Sequence, residues 1–405
     1  MHNYSLIFGK AGILIPPFAA DPERMRAFSV IACDQHTSEP EYWETCRKIS
    51  AGSLSALDFI MPEAWLGTPE EAGHGEGIAR SMAGFREAEM RRIDGFVFLE
   101  RTLRDGRVRR GIVGKIDLEA YDYGAGSSSP VRATEATVLE RIPPRQKVRA
   151  AASAELPHIL ILTAGGGDLY GTARALSRNV AYDFDLMQDG GHVRGYSLEG
   201  EAAERLAEKI AAYEKAGSGV VYAMGDGNHS LAAAKAHWER VKAETGSRDH
   251  PARYALCEIT DLGDPSLSFE PIYRLVKRCD PADLLRCLKK LSGEGEQRVR
   301  AVSRSGETEF SFAAPTHALT VGTLQDFLDG YTASHPGAVC DYIHGEDALR
   351  ELAREEGSVG FLFRGMDKTE LFPYVETHGT LPRKTFSLGE AADKRYYLEM
   401  RRITL

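Results

Sequence analysis

Two short turn signals, each set inside an apolar, alternating run, constrain this chain most. Asp105-Gly106 interrupts "GFVFLERTLRDGRVRRGIVGKIDL", and Asp189-Gly190-Gly191 interrupts "YDFDLMQDGGHVRGYSL". Such residues accept the positive φ angles of tight hairpins, so each run is expected to fold back as two antiparallel strands. An all-helical fold and a purely parallel sheet are thereby excluded. "FSVIACD" and "HILILT" also read as strands, and "GEAAERLAEKIAAYEKAG" as an amphipathic helix ended by Gly217. Beyond Asp280, "PADLLRCLKKL", "ALTV", "LQDFLDGYTAS", "AVCDYI", "EDALRELAREE" and "SVGFLFRG" alternate helices with strands. The expected class is α+β or mixed α/β, with mixed sheets, hairpins and flanking helices. The expected division is a motif-bearing α/β core over 1–279 and a C-terminal α/β region over 280–405 packing on it.

The 405 residues suffice for two or three domains, and 43% hydrophobic with 27% charged residues is ordinary for a globular chain. A net charge of -9 repels phosphate backbones, so nucleic acid is not an expected partner. No apolar run approaches the roughly 18 residues that span a bilayer. The start, "MHNYSLIFGKAGILIPPF", lacks the basic opening and sustained apolar core of a leader. A cytoplasmic location without a membrane partner is expected. The six cysteines include no C-x-x-C pair, which fits reduced, structural thiols. H-E-x-x-H, G-x-S-x-G and the P-loop pattern are absent, closing the common routes to a zinc hydrolase, an α/β-hydrolase and a P-loop enzyme.

Chemistry concentrates in "VVYAMGDGNHSLAAAKAHWER", residues 220–240, where a strand pattern ends in Gly225-Asp226-Gly227-Asn228-His229-Ser230 and a helix begins. Leu231, Ala234, Trp238 and Val241 recur at helical spacing. A helix N-terminus offers unpaired N–H groups and a dipole that favours an anion. Gly225 and Gly227 let the backbone approach phosphate, and Asn228, His229 and Ser230 add donors. Asp226 fits a magnesium ligand or a base. The same residues fit a plain capped turn, with Asn228 or Ser230 as the cap. In "CDQHTSEPEYWE", Asp34, Gln35, His36, Thr37, Ser38 and Glu39 follow a strand, where α/β proteins often bind ligands; a capped loop is the alternative. "VRATEATVLERIPPRQKVRAA" carries Arg132, Glu135, Thr137, Arg141, Arg145, Lys147 and Arg149. These cations suit a phosphorylated ligand or a solvated helix face. Arg383, Lys384, Lys394 and Arg395 near the end leave the same choice.

Together these segments resemble the bacterial and archaeal domain-of-unknown-function family numbered 1015 over nearly the whole chain. That family's "A-D-G-H-H-R" after a strand corresponds to "MGDGNHS", Met224 to Ser230, and its "H-E-x-T" to Thr134-Glu135-Ala136-Thr137. Its early "Y-D" aligns with Asp34, and "D-P-x-L … P-x-H-R" with Asp264, Pro271 and Arg274. Asn228, Ser230 and Thr134 depart from the His, Arg and His of those motifs. More loosely, the turn is similar to the phosphate-binding motif of the ParB-like, sulfiredoxin-like and free-serine-kinase superfamily. The resemblance implies a ParB/sulfiredoxin-like element around the Asp-Gly-Asn-His turn. It also implies phosphoryl transfer on a small metabolite, linked to serine metabolism, with Mg²⁺ and a nucleotide as cofactors.

In that reading Asp226, His229, Asp34 and Glu135 are catalytic, and Asp226 and Asp34 hold the metal. Gly225, Gly227, Asn228, Ser230, Arg132 and Arg145 bind phosphate. A phosphatase or other hydrolase using the same anion site is the alternative, and a non-enzymatic nucleotide-sensing or interaction protein a third. If the resemblance carries over, the Asp34 and Glu135 loops should meet the 225–230 turn across one cleft; on opposite faces, each motif would be a plain capped turn or loop.

Overall fold

The computed structural model describes residues 6–124 and 126–405. Contacts divide the chain into one unit running up to Leu267 and resumed by Glu390–Leu405, and a second, Ser268–Gly389. This differs from a single boundary at 279/280. The strand Phe269–Lys277 pairs with Val339–His344 and Val359–Phe363 of the second unit. The last residues return to the first unit, where Met400 bridges to Leu14 and Tyr396 to Ile31. A returning tail leaves no linear signal.

Both hairpins are present. Arg91–Thr102 pairs antiparallel with Val108–Asp117, and Asn179–Asp185 with His192–Glu199. At the second turn Gly191 has φ +82, and a Cβ there would lie 2.1 Å from the Thr102 carbonyl oxygen. These strands belong to a mixed sheet of 11. Its longest path runs Tyr121–Asp122, Val131–Arg132, Tyr222–Asp226, Leu160–Thr163, Tyr254–Asp261, Val108–Asp117, Arg91–Thr102, His192–Glu199, Asn179–Asp185.

Both faces of this sheet are covered. Along Arg91–Thr102, Ile93, Val97 and Leu99 enter one core cluster while Phe96 and Phe98 enter another. The first cluster takes in Met25, Phe28, Trp43, Ile78 and Met82 from Pro22–Phe28, Pro40–Ile49 and Glu70–Gly84. The second takes in residues of Gly167–Leu176, Glu201–Ala216 and Asn228–Thr245, including Leu231, Ala234, Trp238 and Val241. Each large apolar side chain so buried contributes roughly 1.5–3 kcal/mol.

The second unit is an antiparallel sheet in the order Gly306–Ser311, Arg298–Ser303, Val359–Phe363, Phe269–Lys277, Val339–His344, with Phe386–Leu388 beside Phe269. Leu284, Leu288, Leu324 and Leu328 bring two helices onto Val276, Val299 and Phe361. Two readings change. "ALTV" leads into the helix Thr320–Ser334 rather than forming a strand. "FSVIACD" forms only the single bridge Ile31–Tyr396, because Phe28 closes the helix Pro22–Phe28.

Candidate functional site

The site is built where strands deliver their ends to one edge of the large sheet. Val131–Arg132 runs parallel to Tyr222–Asp226, so the residues following each emerge together. Leu160–Thr163 runs antiparallel to Tyr222–Asp226, with Asp226 opposite Leu160, so the residues just before it arrive at the same place. The register shifts between Met224 and Asp226, leaving Gly225 at an irregularity in the ladder. Gly227 then turns with φ +79, and the helix Asn228–Thr245 starts at once. A Cβ on Gly227 would sit 3.1 Å from the Ile159 Cα and 3.6 Å from His158 Cδ2. The positive φ favours glycine here, and the close approach leaves a Cβ little room.

No side chain caps the helix. Instead Asn228 Nδ2 donates to the Glu135 carbonyl at 3.2 Å and to Thr137 Oγ1 at 3.1 Å. The Val138 N–H donates to His229 Nε2 at 3.2 Å, and Thr134 Oγ1 donates to the Met224 carbonyl at 2.9 Å. The Glu135 loop is thus tied along the turn. His229 uses one ring nitrogen to hold that loop. Ser230 is half-buried on the first helical turn.

The Asp34 loop arrives through two residues that its own sequence does not announce. Lys394 Nζ lies 3.7 Å from Asp226 Oδ2, with 11% of its side chain exposed, and it also acts electrostatically on Asp34. His158 stands beside Gly227 and also acts on Asp34. Its Nδ1 bonds the Tyr397 hydroxyl at 2.8 Å, which in turn accepts the Cys33 N–H at 3.3 Å. Asp34 itself accepts from Gln35 Nε2 at 3.1 Å. Arg132 is buried, its Nε donating to the Ser129 carbonyl at 2.8 Å. Arg145 pairs with Glu63, whose N–H donates to the Cys33 carbonyl at 2.7 Å. Both expected phosphate cations are therefore already engaged by protein groups. The side chains of Arg141 and Lys147 lie outside those described.

The pattern of a family described as "Protein of unknown function (DUF1015)" matches residues 15–360. The chain belongs to that family. Among solved structures similar to this DUF1015 chain is a free serine kinase mutant in complex with ADP. It is 12% identical, with 74% of this chain and 93% of that one covered and a TM-score of 0.40. Free serine kinase in complex with AMP is 13% identical, covering 72% and 91%, with a TM-score of 0.39. SbnI with a C-terminal truncation, from Staphylococcus aureus, is 10% identical over 68% and 82%, with a TM-score of 0.36. No curated protein matches the chain. Among the described residues of the DUF1015 chain, no helix is long and apolar enough to cross a membrane.

Two carboxylates share one ammonium at the turn. Burial pushes the Asp34 carboxyl up, but His158, the Gln35 amide and Lys394 together outweigh it and hold the group below the usual carboxylate range. Asp226 Oδ1 accepts the Gly227 N–H at 2.9 Å, whereas Oδ2 is buried without a hydrogen-bond partner. Asn228 Oδ1 is likewise buried and unpartnered. The Asn228 amide must face its nitrogen to the Glu135 carbonyl, so the oxygen is the atom left over. Two buried, unsatisfied oxygens are the donors a hard cation takes. Among the described residues, no three His, Cys, Asp or Glu side chains cluster tightly enough to hold a metal alone. A metal here would have to take most of its ligands from outside these side chains.

A buried charge network fixes the frame behind the site. Arg101 Nη1 donates to the Lys394 carbonyl at 3.0 Å, and Arg109 Nη1 to that of Asp393 at 2.8 Å. Arg395 donates to Glu258 at 2.8 Å, to Glu399 at 2.7 Å and to the Pro157 carbonyl at 2.8 Å. The backbone on either side of Lys394 and just before His158 is thereby pinned. His158 shows no chemical signal in a line of sequence. It is found only once the antiparallel pairing is known, whereas Lys394, already one of the candidate cations near the end of the sequence, is placed at the turn only once the tail is seen to return.

Proposed function

We propose that the turn at Gly225–Ser230 binds the phosphates of a nucleotide or phosphorylated small metabolite, and that the protein transfers a phosphoryl group to a small hydroxyl acceptor in a serine-kinase-like reaction. The observation that carries this reading is convergence: the Asp34 loop, the Glu135 loop and the start of the helix at Gly227 meet around Asp226, Asn228 and Lys394. An uncapped helix start with glycine at its entry supplies oriented N–H donors for phosphate oxygens. Lys394 adds a cation, a usual partner of a phosphate as a point charge.

Asp226 Oδ2 and Asn228 Oδ1 would hold Mg²⁺ together with the ligand's phosphates, and the ion would neutralise charge on the transferring group. The chain's own residues do the rest. Asp34, held ionised at neutral pH, is suited to accept the acceptor's hydroxyl proton, with the Glu135 carboxylate as the second candidate. Asn228 and His229 hold the Glu135 loop against the turn, so the acceptor and the phosphates share one frame. Positioning and charge neutralisation would supply most of the rate.

The test is to incubate the protein with ATP, ADP, CTP or phosphoserine, with and without Mg²⁺ and with free serine, following products by phosphorus NMR. Transfer to serine supports the kinase reading. Release of inorganic phosphate with water as acceptor moves the assignment to a phosphatase. Binding without turnover, measured calorimetrically, moves it to a sensor. Absence of binding by all four ligands, or binding unchanged by Asp226→Ala, removes the phosphate reading.

A further inference from the structure

The ammonium of Lys394 faces a carboxylate oxygen that has no hydrogen-bond partner, at 3.7 Å, beyond direct bonding range. The contact is electrostatic and undirected, and only 11% of the lysine and 15% of the aspartate side chain are exposed, so solvent screens it weakly. The Lys394 backbone is fixed by Arg101, whereas its four-carbon stem can swing. We propose that Lys394 is a resident counter-ion of Asp226 that exchanges with a divalent cation, so that metal and phosphate ligands bind this site cooperatively. The inference rests on the phosphate-site reading above and adds its order of charge.

Without ligand, the single charge of Lys394 is shared between Asp226, which it faces, and Asp34, on which it also acts. A divalent ion entering at Asp226 Oδ2 then meets an ammonium within a few ångströms in a poorly screened setting, and the two repel. A phosphate-bearing ligand at the helix start draws the ammonium to its own oxygens, leaving Asp226 Oδ2 open to the metal. The coupling is reciprocal by linkage, so the metal tightens the phosphate ligand by the same factor.

The test uses Mn²⁺ as the probe ion, titrated against the full chain and read by the electron paramagnetic resonance of free Mn²⁺. Without nucleotide, Lys394→Met is expected to bind Mn²⁺ about 10-fold tighter than wild type, about 1.4 kcal/mol. The same variant binds ADP more weakly. Lys394→Arg, which keeps the charge, stays near the wild-type Mn²⁺ affinity, and adding Asp226→Asn to Lys394→Met abolishes the gain. If Lys394→Met fails to fold by circular dichroism, Lys394→Gln carries the same expectation. Mn²⁺ affinity unchanged or weakened on loss of the lysine charge, while wild type binds Mn²⁺ with ADP, overturns this inference alone. No Mn²⁺ or ADP binding by any form overturns the phosphate-site reading with it.

Discussion

Lys394 and Arg395 are neighbours in the chain, yet the regions they serve use charge in opposite ways. Arg395 is 3% exposed and donates to two carboxylates and a backbone carbonyl, each at 2.8 Å or less. Its partner Glu399 also accepts the Tyr182 hydroxyl. Lys394 has one distant ion pair, and the oxygen it faces is unsatisfied. Burying charge costs free energy in both places. In the Arg395 network that cost is offset by directed bonds, so the network can hold a frame. At the Asp226 turn it is only partly offset, which leaves polar atoms poised for something that arrives. Satisfied burial marks structure, and unsatisfied burial beside a cation marks a candidate site.

The comparison breaks most visibly if Arg395→Met is tolerated. Removing the guanidinium leaves Glu258 and Glu399 buried without it, and breaking one partner of such a network costs about 3–5 kcal/mol. Urea denaturation should show that loss directly. Lys394→Met, by contrast, should leave the denaturation midpoint nearly in place. Equal losses at the two positions would abolish the distinction.

Gly227→Ala comes next. It forces φ +79 on a residue with a Cβ and presses that atom to within 3.1 Å of the Ile159 Cα. The left-handed conformation alone costs about 1–2 kcal/mol, and the proposed ligand affinity should fall further because the helix start must shift. A stable variant with unchanged ligand affinity would show that this close approach does not matter to the site.

The hairpins were legible from Asp105-Gly106 and Asp189-Gly190-Gly191, because tight turns are written in a few adjacent residues. The turn at Gly227 was legible for the same reason, and so was the helical spacing from Leu231 to Val241. The Asp34 loop's place was readable only through family resemblance. Its link to the turn runs through His158 and Lys394, far away in sequence from both. The engagement of Arg132 and Arg145 was equally hidden, since a cation's partner is set by tertiary packing. Ser129 is near in sequence to Arg132, but Glu63 is remote from Arg145.

Asn228→Ala should cost less than Arg395→Met and no more than Gly227→Ala. It removes donations to the Glu135 carbonyl and Thr137 Oγ1, worth about 1 kcal/mol each in net stability. The expected signature is loosening of 135–138 in hydrogen exchange, with the sheet beneath unaffected. Protection unchanged in that loop would mean that other contacts, such as those of His229 and Thr134, suffice to hold it.

The smallest expected effect concerns acid, and it distinguishes the turn from a neutral cap. Asp34 is held below its ordinary value of 3.8: burial pushes it up, and His158, Gln35 and Lys394 outweigh that push. A carboxyl whose folded value lies below its unfolded one contributes stability above the unfolded value and loses it as pH falls through the folded value. The stability gap between wild type and Asp34→Asn should therefore be flat at neutral pH. It should shrink only as pH drops below about 4, and vanish in stronger acid. Lys394→Met removes one of the groups that lower Asp34, so in its background the gap should be narrower and finish closing at higher pH, while the onset, set by the unfolded chain, stays in place. Denaturant titrations of the four proteins across the acid range measure this. A gap that widens with acid would mean that burial, rather than the surrounding groups, controls Asp34. An unshifted closure in the Lys394→Met background would mean that the lysine does not reach Asp34, and the turn and the Asp34 loop would then no longer share a cation.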